Sequence, residues 1–302
     1  MYDVLIIGAG PSGLTAAIYA KRCNLDVAIV ELGAPGGAMV NTAMIENYPG
    51  ISKIDGASLS MQMFEQAINL GVVYLGEEAK KIDKDNEKFL VTFNSGNKVE
   101  SRTVIVATGT KQKKLNVLGE DKFSGYGISW CAICDGSFYK NKDVAVVGGG
   151  NSALEEALYL SEIANKVYII HRREEFRGDN IVVNKLKEKN NVIFVLNSVV
   201  KEFVGDKKLG KICLENIKEN RLFEIYVEGC FEYVGSQPNN EIVADFNILN
   251  ENGYIDVNEN FETTIKGLYA CGDIVNKKIR QIATAVNDGA IAALSANKYC
   301  KE

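Results

Sequence analysis

Apolar residues in this chain come in short unbroken blocks that stop at glycine. Val4-Leu5-Ile6-Ile7 runs into Gly8, and Val144-Ala145-Val146-Val147 runs into Gly148. Blocks of about four to eight such residues closed by a turn signal read as strands buried on both faces. Beyond each turn the pattern takes on the period of a helix, from Leu14 to Lys21 and again from Leu154 to Ile163. Two further blocks, Val27 to Val30 and Val167 to Ile170, follow as strands. Near the other end an apolar strand pattern closes at Ala270-Cys271-Gly272-Asp273, and a helix is predicted from about Gln281 to Tyr299. No apolar run approaches the roughly 18 residues of a membrane span. The opening strand lacks the basic start and cleavage site of a signal peptide, so a cytoplasmic setting is expected.

These blocks form an internal repeat. Asp3-Val4-Leu5-Ile6-Ile7-Gly8-Ala9-Gly10 matches Asp143-Val144-Ala145-Val146-Val147-Gly148-Gly149-Gly150, an offset of 140 residues. Each copy is strand, glycine turn and helix, the context in which G-x-G-x-x-G signals a dinucleotide. Gly8 and Gly148 permit the tight turn, Gly10 and Gly150 let a pyrophosphate approach the backbone, and Gly13 and Ala153 allow helix to pack on strand. A strand–helix turn without ligand is the plainer alternative. The residue that reads the ribose stands about 20 positions further on, and there the copies diverge. Glu31 can accept from ribose hydroxyls. Its counterpart is His171, followed by Arg172, Arg173 and Arg177, and guanidinium groups pair bidentately with phosphate, which points to NADP rather than NAD. A solvated charge run balanced by Glu174 and Glu175 is the alternative.

Composition narrows the class. The 302 residues exceed the usual single core, so two domains are expected. With 46% hydrophobic and 24% charged residues and 28 glycines, the chain reads as globular α/β. A net charge of -5 supplies no basic field for nucleic acid or an anionic membrane. Seven cysteines is an odd, thin count that argues for a reducing compartment.

Only Cys131 and Cys134 are closely paired, within Ser129-Trp130-Cys131-Ala132-Ile133-Cys134-Asp135-Gly136. A C-x-x-C of this kind reads first as a redox pair. Zinc would need two more ligands, and the chain has one histidine and no second C-x-x-C, so no metal is expected. Inert core thiols remain the other alternative. Asp135 is the titratable neighbour and the candidate acid/base, with its pKa raised by burial; a turn or cap role is the alternative. Cys23, Cys213, Cys230, Cys271 and Cys300 are expected to be small buried hydrophobes.

At this point an ordered set of motifs resembles the low-molecular-weight thioredoxin reductases over essentially the whole chain. It comprises Gly8-Ala9-Gly10-Pro11-Ser12-Gly13, Pro35-Gly36-Gly37, Glu46-Asn47-Tyr48-Pro49-Gly50, Ala107-Thr108-Gly109 and Cys131-Ala132-Ile133-Cys134-Asp135-Gly136. It continues with Gly148-Gly149-Gly150-Asn151-Ser152-Ala153, His171-Arg172-Arg173 with Arg177, Cys271-Gly272-Asp273 and Arg280-Gln281. The resemblance implies two Rossmann-like, three-layer α/β domains, the NADPH domain (114–243) inserted into a discontinuous FAD domain (1–113 and 244–302). It carries FAD contacts to Gly8, Gly10, Pro11, Ser12, Gly13, Glu31, Gly37, Asn47, Thr108, Gly109, Asp273, Arg280 and Gln281. NADPH contacts fall on Gly148, Gly150, Asn151, Ser152, Ala153, His171, Arg172, Arg173 and Arg177. Asp273 is thereby expected at the ribityl–phosphate portion, although an Asp in a tight turn before a helix is a common structural feature. Cys134 is expected nearer the flavin and Cys131 is its partner.

What the resemblance implies for function is passage of electrons from NADPH to FAD, to the disulfide and then to thioredoxin, with one domain rotating against the other and the protein a homodimer. Three positions depart from the pattern. Ala38 stands where Gln usually follows Gly-Gly, at the loss of about 1 kcal/mol of net hydrogen bonding to FAD; Leu118 replaces a Pro, and Trp130 a Tyr. A related enzyme serving a glutaredoxin-like or peroxiredoxin partner has the same sequence features. A ferredoxin-fed or oxygen-using relative would be expected to lack the arginine cluster, and ferredoxin–NADP reductases lack the dithiol. A non-catalytic redox sensor is the rival from another class.

Overall fold

The computed structural model describes residues 1–42, 45–85 and 87–302. The chain divides into two compact units, Met1–Lys111 with Gln237–Glu302, and Gln112–Ser236. The first unit begins with β1 (Tyr2–Ile7), α1 (Pro11–Arg22), β2 (Val27–Val30), α2 (Gly56–Asn69), β3 (Val73–Leu75), β4 (Ala79–Asp85), β5 (Lys88–Phe93) and β6 (Lys98–Val106). Past β7 (Thr110–Gln112), the second unit opens with α3 (Glu120–Phe123), β8 (Ile128–Ser129), α4 (Ala132–Asp135), β9 (Asp143–Gly148) and α5 (Asn151–Ser161). It continues through β10 (Lys166–Ile170), α6 (Asn180–Lys187), β11 (Val192–Val195), β12 (Ser198–Gly205), β13 (Leu209–Asn216), β14 (Arg221–Tyr226) and β15 (Gly229–Tyr233). The chain returns through β16 (Ser236–Pro238), which pairs with β7, to β17 (Leu268–Ala270) and α7 (Ile282–Lys301).

In the first unit the sheet runs β3-β2-β1-β6-β5-β4, with β17 also paired to β6. β1 is parallel to β2 and β6, while β4 and β5 form an antiparallel extension. Alternate residues of β1 feed two cores. Val4 and Ile6 meet Ala16, Ala17, Ala293 and Ala296 of α1 and α7; Leu5 and Ile7 meet Phe89, Val91 and Val243 on the other face. That is why the strand reads as an unbroken apolar run rather than an alternating one. Each fully buried aliphatic side chain contributes roughly 1.5–3 kcal/mol. Residues 237–243 belong to this unit because Val243 is fully buried in its core and Asn239 hydrogen-bonds Thr108.

The second unit repeats the plan. Its sheet, β11-β10-β9-β15-β8, is parallel throughout. α5 and α6 cover one face through Leu154, Ala157, Leu160 and Leu186, and the antiparallel sheet β12-β13-β14 covers the other through Phe203, Ile212 and Leu214. Both units thus share the order third, second, first, fourth strand of a Rossmann sheet. The helices begin earlier than hydropathy suggests: α1 starts at Pro11, a residue preset for the first helical position, and α5 at Asn151. α7 starts at Ile282, with Gln281 as its N-cap. Among the described residues no helix is long and apolar enough to cross a membrane.

Candidate functional site

In the first unit the turn after β1 is built by contact limits. Gly8 has φ +107°, and a Cβ on Gly13 would lie 1.9 Å from the Gly8 carbonyl oxygen, so helix and strand pack backbone to backbone. A Cβ on Gly10 would meet nothing within 4 Å. Gly10 is also the N-cap of α1 and supplies no side chain to the first-turn amides. Open space over uncapped helix amides is a cradle for a pyrophosphate. Glu31, at the end of β2, accepts the Ala9 amide at 3.2 Å and the Gly33 amide at 3.0 Å. Both carboxylate oxygens keep a lone pair for ribose hydroxyls. Gly37 comes up against the turn, where its Cβ would be 3.2 Å from Gly10 Cα.

The second segment of the unit closes on the same turn. A Cβ on Gly272 would strike Ser12 Oγ at 2.3 Å, so the Cys271-Gly272-Asp273 corner rests on the start of α1. Oδ1 of Asp273 and Nε of Arg280 are buried without a hydrogen-bond partner, and the Arg280 guanidinium lies 4.6 Å over the Tyr254 ring. Burial raises the Asp273 pKa, against the pull of Lys277 and Arg280. Asn47 Nδ2 donates to Gln281 Oε1 over 3.2 Å across 234 residues of chain. Thr108 and Asn239 clamp each other through two 2.7 Å bonds beside Gly109, whose φ is +65°. The open glycine turn, the acidic reader and the orphaned buried polar atoms together fit a flavin dinucleotide.

The second unit repeats the cradle at Gly148 and Gly150. A Cβ on Gly148 would lie 2.7 Å from Ala153 Cβ, whereas one on Gly150 meets nothing within 4 Å, and the N-cap again offers no side chain. Asn151 Oδ1 accepts the Asp179 amide at 2.8 Å, and Ser152 is exposed. His171 is buried, stacked 5.1 Å from Phe176, with Nε2 3.1 Å from the Glu175 carbonyl. Its ring fills the space a Cβ on Gly149 would need. Burial pushes the imidazole pKa down, helped by the three arginines, so it is a neutral floor to the turn. The charge comes from Arg172, Arg173 and Arg177, all exposed and, among the described residues, in no ion pair. Glu174 pairs with Lys218 at 3.3 Å instead, leaving the guanidinium groups open to an anion. The donor set fits a 2′-phosphate.

The dithiol occupies one turn of helix in the same unit. Cys131 and Cys134 form a disulfide with Cα atoms 5.3 Å apart, Cys131 capping α4. The Cys134 amide donates to Cys131 Sγ at 3.2 Å. Ser129 Oγ accepts the Cys131 amide at 3.1 Å and donates to Asp135 Oδ2 at 2.6 Å. Burial raises the Asp135 pKa and the Ser129 bond opposes it, the environment a proton-holding carboxyl needs. Trp130 packs on the inner core beside Glu232, a buried carboxyl pushed up to about 9 by burial and by Glu120. The free cysteines divide: Cys230, Cys271 and Cys300 are buried, whereas Cys23 and Cys213 are half-exposed.

Sequence alone misses several groups. Lys277 reaches Asp288 at 2.6 Å and Asp273 at 3.7 Å, and Asp288 also accepts the Gly272 amide. Tyr233 Oη accepts the Ala132 amide at 2.7 Å. Nothing local marks these residues except a buried-strand tyrosine and a lysine four residues after Asp273.

The family profile described as pyridine nucleotide-disulphide oxidoreductase matches residues 2–289. The chain is 46% identical to the thioredoxin reductase of Mycoplasma genitalium over 97% of its length and 94% of the relative's. It is 42% identical to that of Bacillus subtilis over 100% of this chain and 96% of the relative's. Among solved structures, thioredoxin reductase from Streptococcus pyogenes superposes with a TM-score of 0.95 at 42% identity, covering 100% and 98% of the two chains.

Proposed function

The chain belongs to the pyridine nucleotide-disulphide oxidoreductase family, and within it to the thioredoxin reductases; from this we propose that electrons pass from NADPH through FAD to the Cys131–Cys134 disulfide and on to thioredoxin. The observation that carries this reading is the disulfide itself, set beside a buried carboxyl in a chain with two open glycine turns. The first turn, Glu31 and the Asp273–Arg280–Gln281 corner are the residues that would hold FAD. The second turn with Arg172, Arg173 and Arg177 would hold NADPH. Bound flavin would relay an electron pair from reduced nicotinamide to the sulfur–sulfur bond.

Two electrons break that bond, and each sulfur then carries a thiolate or takes a proton. The Cys134 amide on Cys131 Sγ favours the thiolate at Cys131. Asp135 holds a proton beside the pair, with Ser129 fixing the orientation of its carboxyl. The thiolate attacks thioredoxin's disulfide, the second thiol resolves the mixed disulfide, and the starting bond re-forms as thioredoxin leaves reduced. A cytoplasmic homodimer is the setting we assign. The five cysteines outside the pair are all free, as suits a reducing compartment.

The test is NADPH oxidation by the flavin-loaded protein with thioredoxin as acceptor. Cys134→Ser should abolish turnover and keep FAD. A wild-type pair that no nicotinamide supply can open would end this reading.

A further inference from the structure

Glu31 can serve a ribose only if its carboxylate is held in place, and the turn that carries it is mostly exposed. Leu32, Gly33 and Ala34 face solvent in succession, Leu32 being 63% exposed. A glutamate side chain has several rotatable bonds, and ordering them costs conformational entropy. Oε2 accepts the Ala9 amide of the β1 turn at 3.2 Å, and Oε1 accepts the Gly33 amide at 3.0 Å. The second of these bonds is local, reaching only two residues along the chain. It therefore fixes the carboxylate only as firmly as Gly33 itself is fixed.

The backbone of the turn is held from β3. Tyr74 Oη donates to the Glu31 carbonyl at 2.8 Å and makes a longer contact, 3.3 Å, with the Gly33 carbonyl. One phenolic proton serves both carbonyls, and the nearer takes the stronger bond. The Glu31 amide donates to the Leu75 carbonyl at 3.1 Å, and Tyr74 stands in parallel register with Ile29 of β2. Downstream, the Gly36 amide donates to the Ala9 carbonyl at 2.7 Å and closes the far end of the turn. The Tyr74 ring is half-buried and meets Phe64 of α2 edge-on, with centroids 5.3 Å apart and planes at 82°. Burial, and after it the Glu31 charge, raises the Tyr74 pKa, so the hydroxyl keeps the proton it donates.

We propose that Tyr74 is a positioning residue for dinucleotide binding in the first unit: its hydroxyl ties the backbone of Glu31 and Gly33 to β3, and so holds the carboxylate ready for the ribose hydroxyls of the FAD adenosine. A group that is already ordered loses less freedom when the ligand arrives, and the difference appears as affinity. This inference rests on the reading of the first glycine turn as the FAD site. It adds to that site a residue 43 positions from Glu31 and outside the glycine motif.

Full-length holoprotein is diluted through a concentration series, and the FAD released is read by its fluorescence to give Kd; melting of the flavin-stripped chain reports on the fold. Tyr74→Phe keeps the ring and its contact with Phe64 and removes one oxygen. It should raise the Kd for FAD about threefold to tenfold, the effect of about one net hydrogen bond, with only a small change in melting of the stripped chain. Glu31→Ala should also raise Kd. Adding Tyr74→Phe to it should raise Kd by less than about twofold more, because two changes that act through one carboxylate do not add. A Tyr74→Phe protein with the wild-type Kd, beside a Glu31→Ala protein that binds FAD weakly, overturns this inference alone. So does a Tyr74→Phe loss that is equally large in the Glu31→Ala background, since a general loosening of the unit acts without the carboxylate. Glu31→Ala with the wild-type Kd overturns the reading of the first turn and this inference with it. A Cys131–Cys134 pair that NADPH cannot open, in a protein that still shows the Tyr74 effect, defeats the proposed function and leaves this inference standing.

Discussion

Ser129 donates to Asp135 over 2.6 Å with the same oxygen that accepts the Cys131 amide. One hydroxyl therefore sets both the start of the dithiol turn and the acidity of the carboxyl at its end. Burial raises the Asp135 pKa and Ser129 lowers it. Removing the donor in Ser129→Ala should raise it further, moving the alkaline limb of the thioredoxin reaction to higher pH. Asp135→Asn should erase that limb and slow turnover by about 100-fold or more, with flavin reduction by NADPH in a stopped-flow trace largely kept. The sign for stability runs the same way: a carboxyl with a raised folded pKa favours folding at low pH and loses that contribution as pH rises through it. Asp135→Asn should therefore melt no lower than wild type at neutral pH. Full turnover by this variant would remove the carboxyl from the chemistry.

Arg172 and Arg173 are exposed and, among the described residues, in no ion pair, their neighbour Glu174 being paired with Lys218. Replacing both by Gln should raise KM for NADPH by more than about tenfold, since each charge-assisted bond contributes roughly 1.5–3 kcal/mol. KM for NADH should change little. An unaltered preference between the two nucleotides would mean that the phosphate is read elsewhere.

Lys277 is the cation that Asp288 and Asp273 share, at 2.6 and 3.7 Å, and its side chain is only 15% exposed. Taking one partner from a buried ion pair costs about 3–5 kcal/mol. Lys277→Met should lower the melting temperature and release FAD on gel filtration. A second change, Asp288→Leu, should recover part of the melting temperature by removing the stranded charge. A Lys277→Met protein as stable as wild type would show that the pair contributes nothing.

Much of this was legible in the sequence, for a local reason. The strand, glycine turn and helix at Gly8 and at Gly148 are each set by residues within about twenty positions, so the repeat and its two turns could be read directly. The match of Glu31 with His171 aligned the ends of β2 and β10 but said nothing of the surroundings of His171. Whether His171 is charged depends on Phe176 stacking on it and on Gly149 lacking a Cβ beneath it. The contacts that remained hidden join distant segments: Tyr233 to Ala132, 101 residues apart, and Asn47 to Gln281, 234 apart. No periodicity encodes such a meeting, because only the assembled sheet brings the segments together.

Glu232 lies in β15 with both carboxyl oxygens buried and without a hydrogen bond, and its pKa is pushed up to about 9 by burial and by Glu120. Glu120 is better served, accepting the amides of Leu115, Asn116 and Val117. The proton therefore stays on Glu232. In the unfolded chain it leaves near the ordinary carboxylate range, so stability falls as pH climbs from there toward about 9. Glu232→Gln should gain stability over wild type, by an amount that grows across that window in urea melts. A constant difference at every pH would place the perturbation outside this carboxyl.

The two kinds of glycine in each turn separate folding from ligand binding. A Cβ on Gly13 would sit 1.9 Å from the Gly8 carbonyl oxygen, a collision with backbone that no side-chain movement relieves, so Gly13→Ala should yield little folded protein. A Cβ on Gly10 or Gly150 meets no protein atom within 4 Å, and neither residue has a positive φ. Gly10→Ala and Gly150→Ala should thus fold with melting temperatures close to wild type, or slightly above it through loss of unfolded-state freedom. The space the methyl enters is the approach to the helix amides. Gly10→Ala should purify with little flavin, while Gly150→Ala should stay yellow and lose NADPH affinity by isothermal titration. If Gly150→Ala instead bound NADPH normally and lost FAD, the assignment of the two turns would be reversed. If both variants bound both nucleotides as wild type does, the turns would be packing devices only, and the pyrophosphates would lie against some other part of the chain.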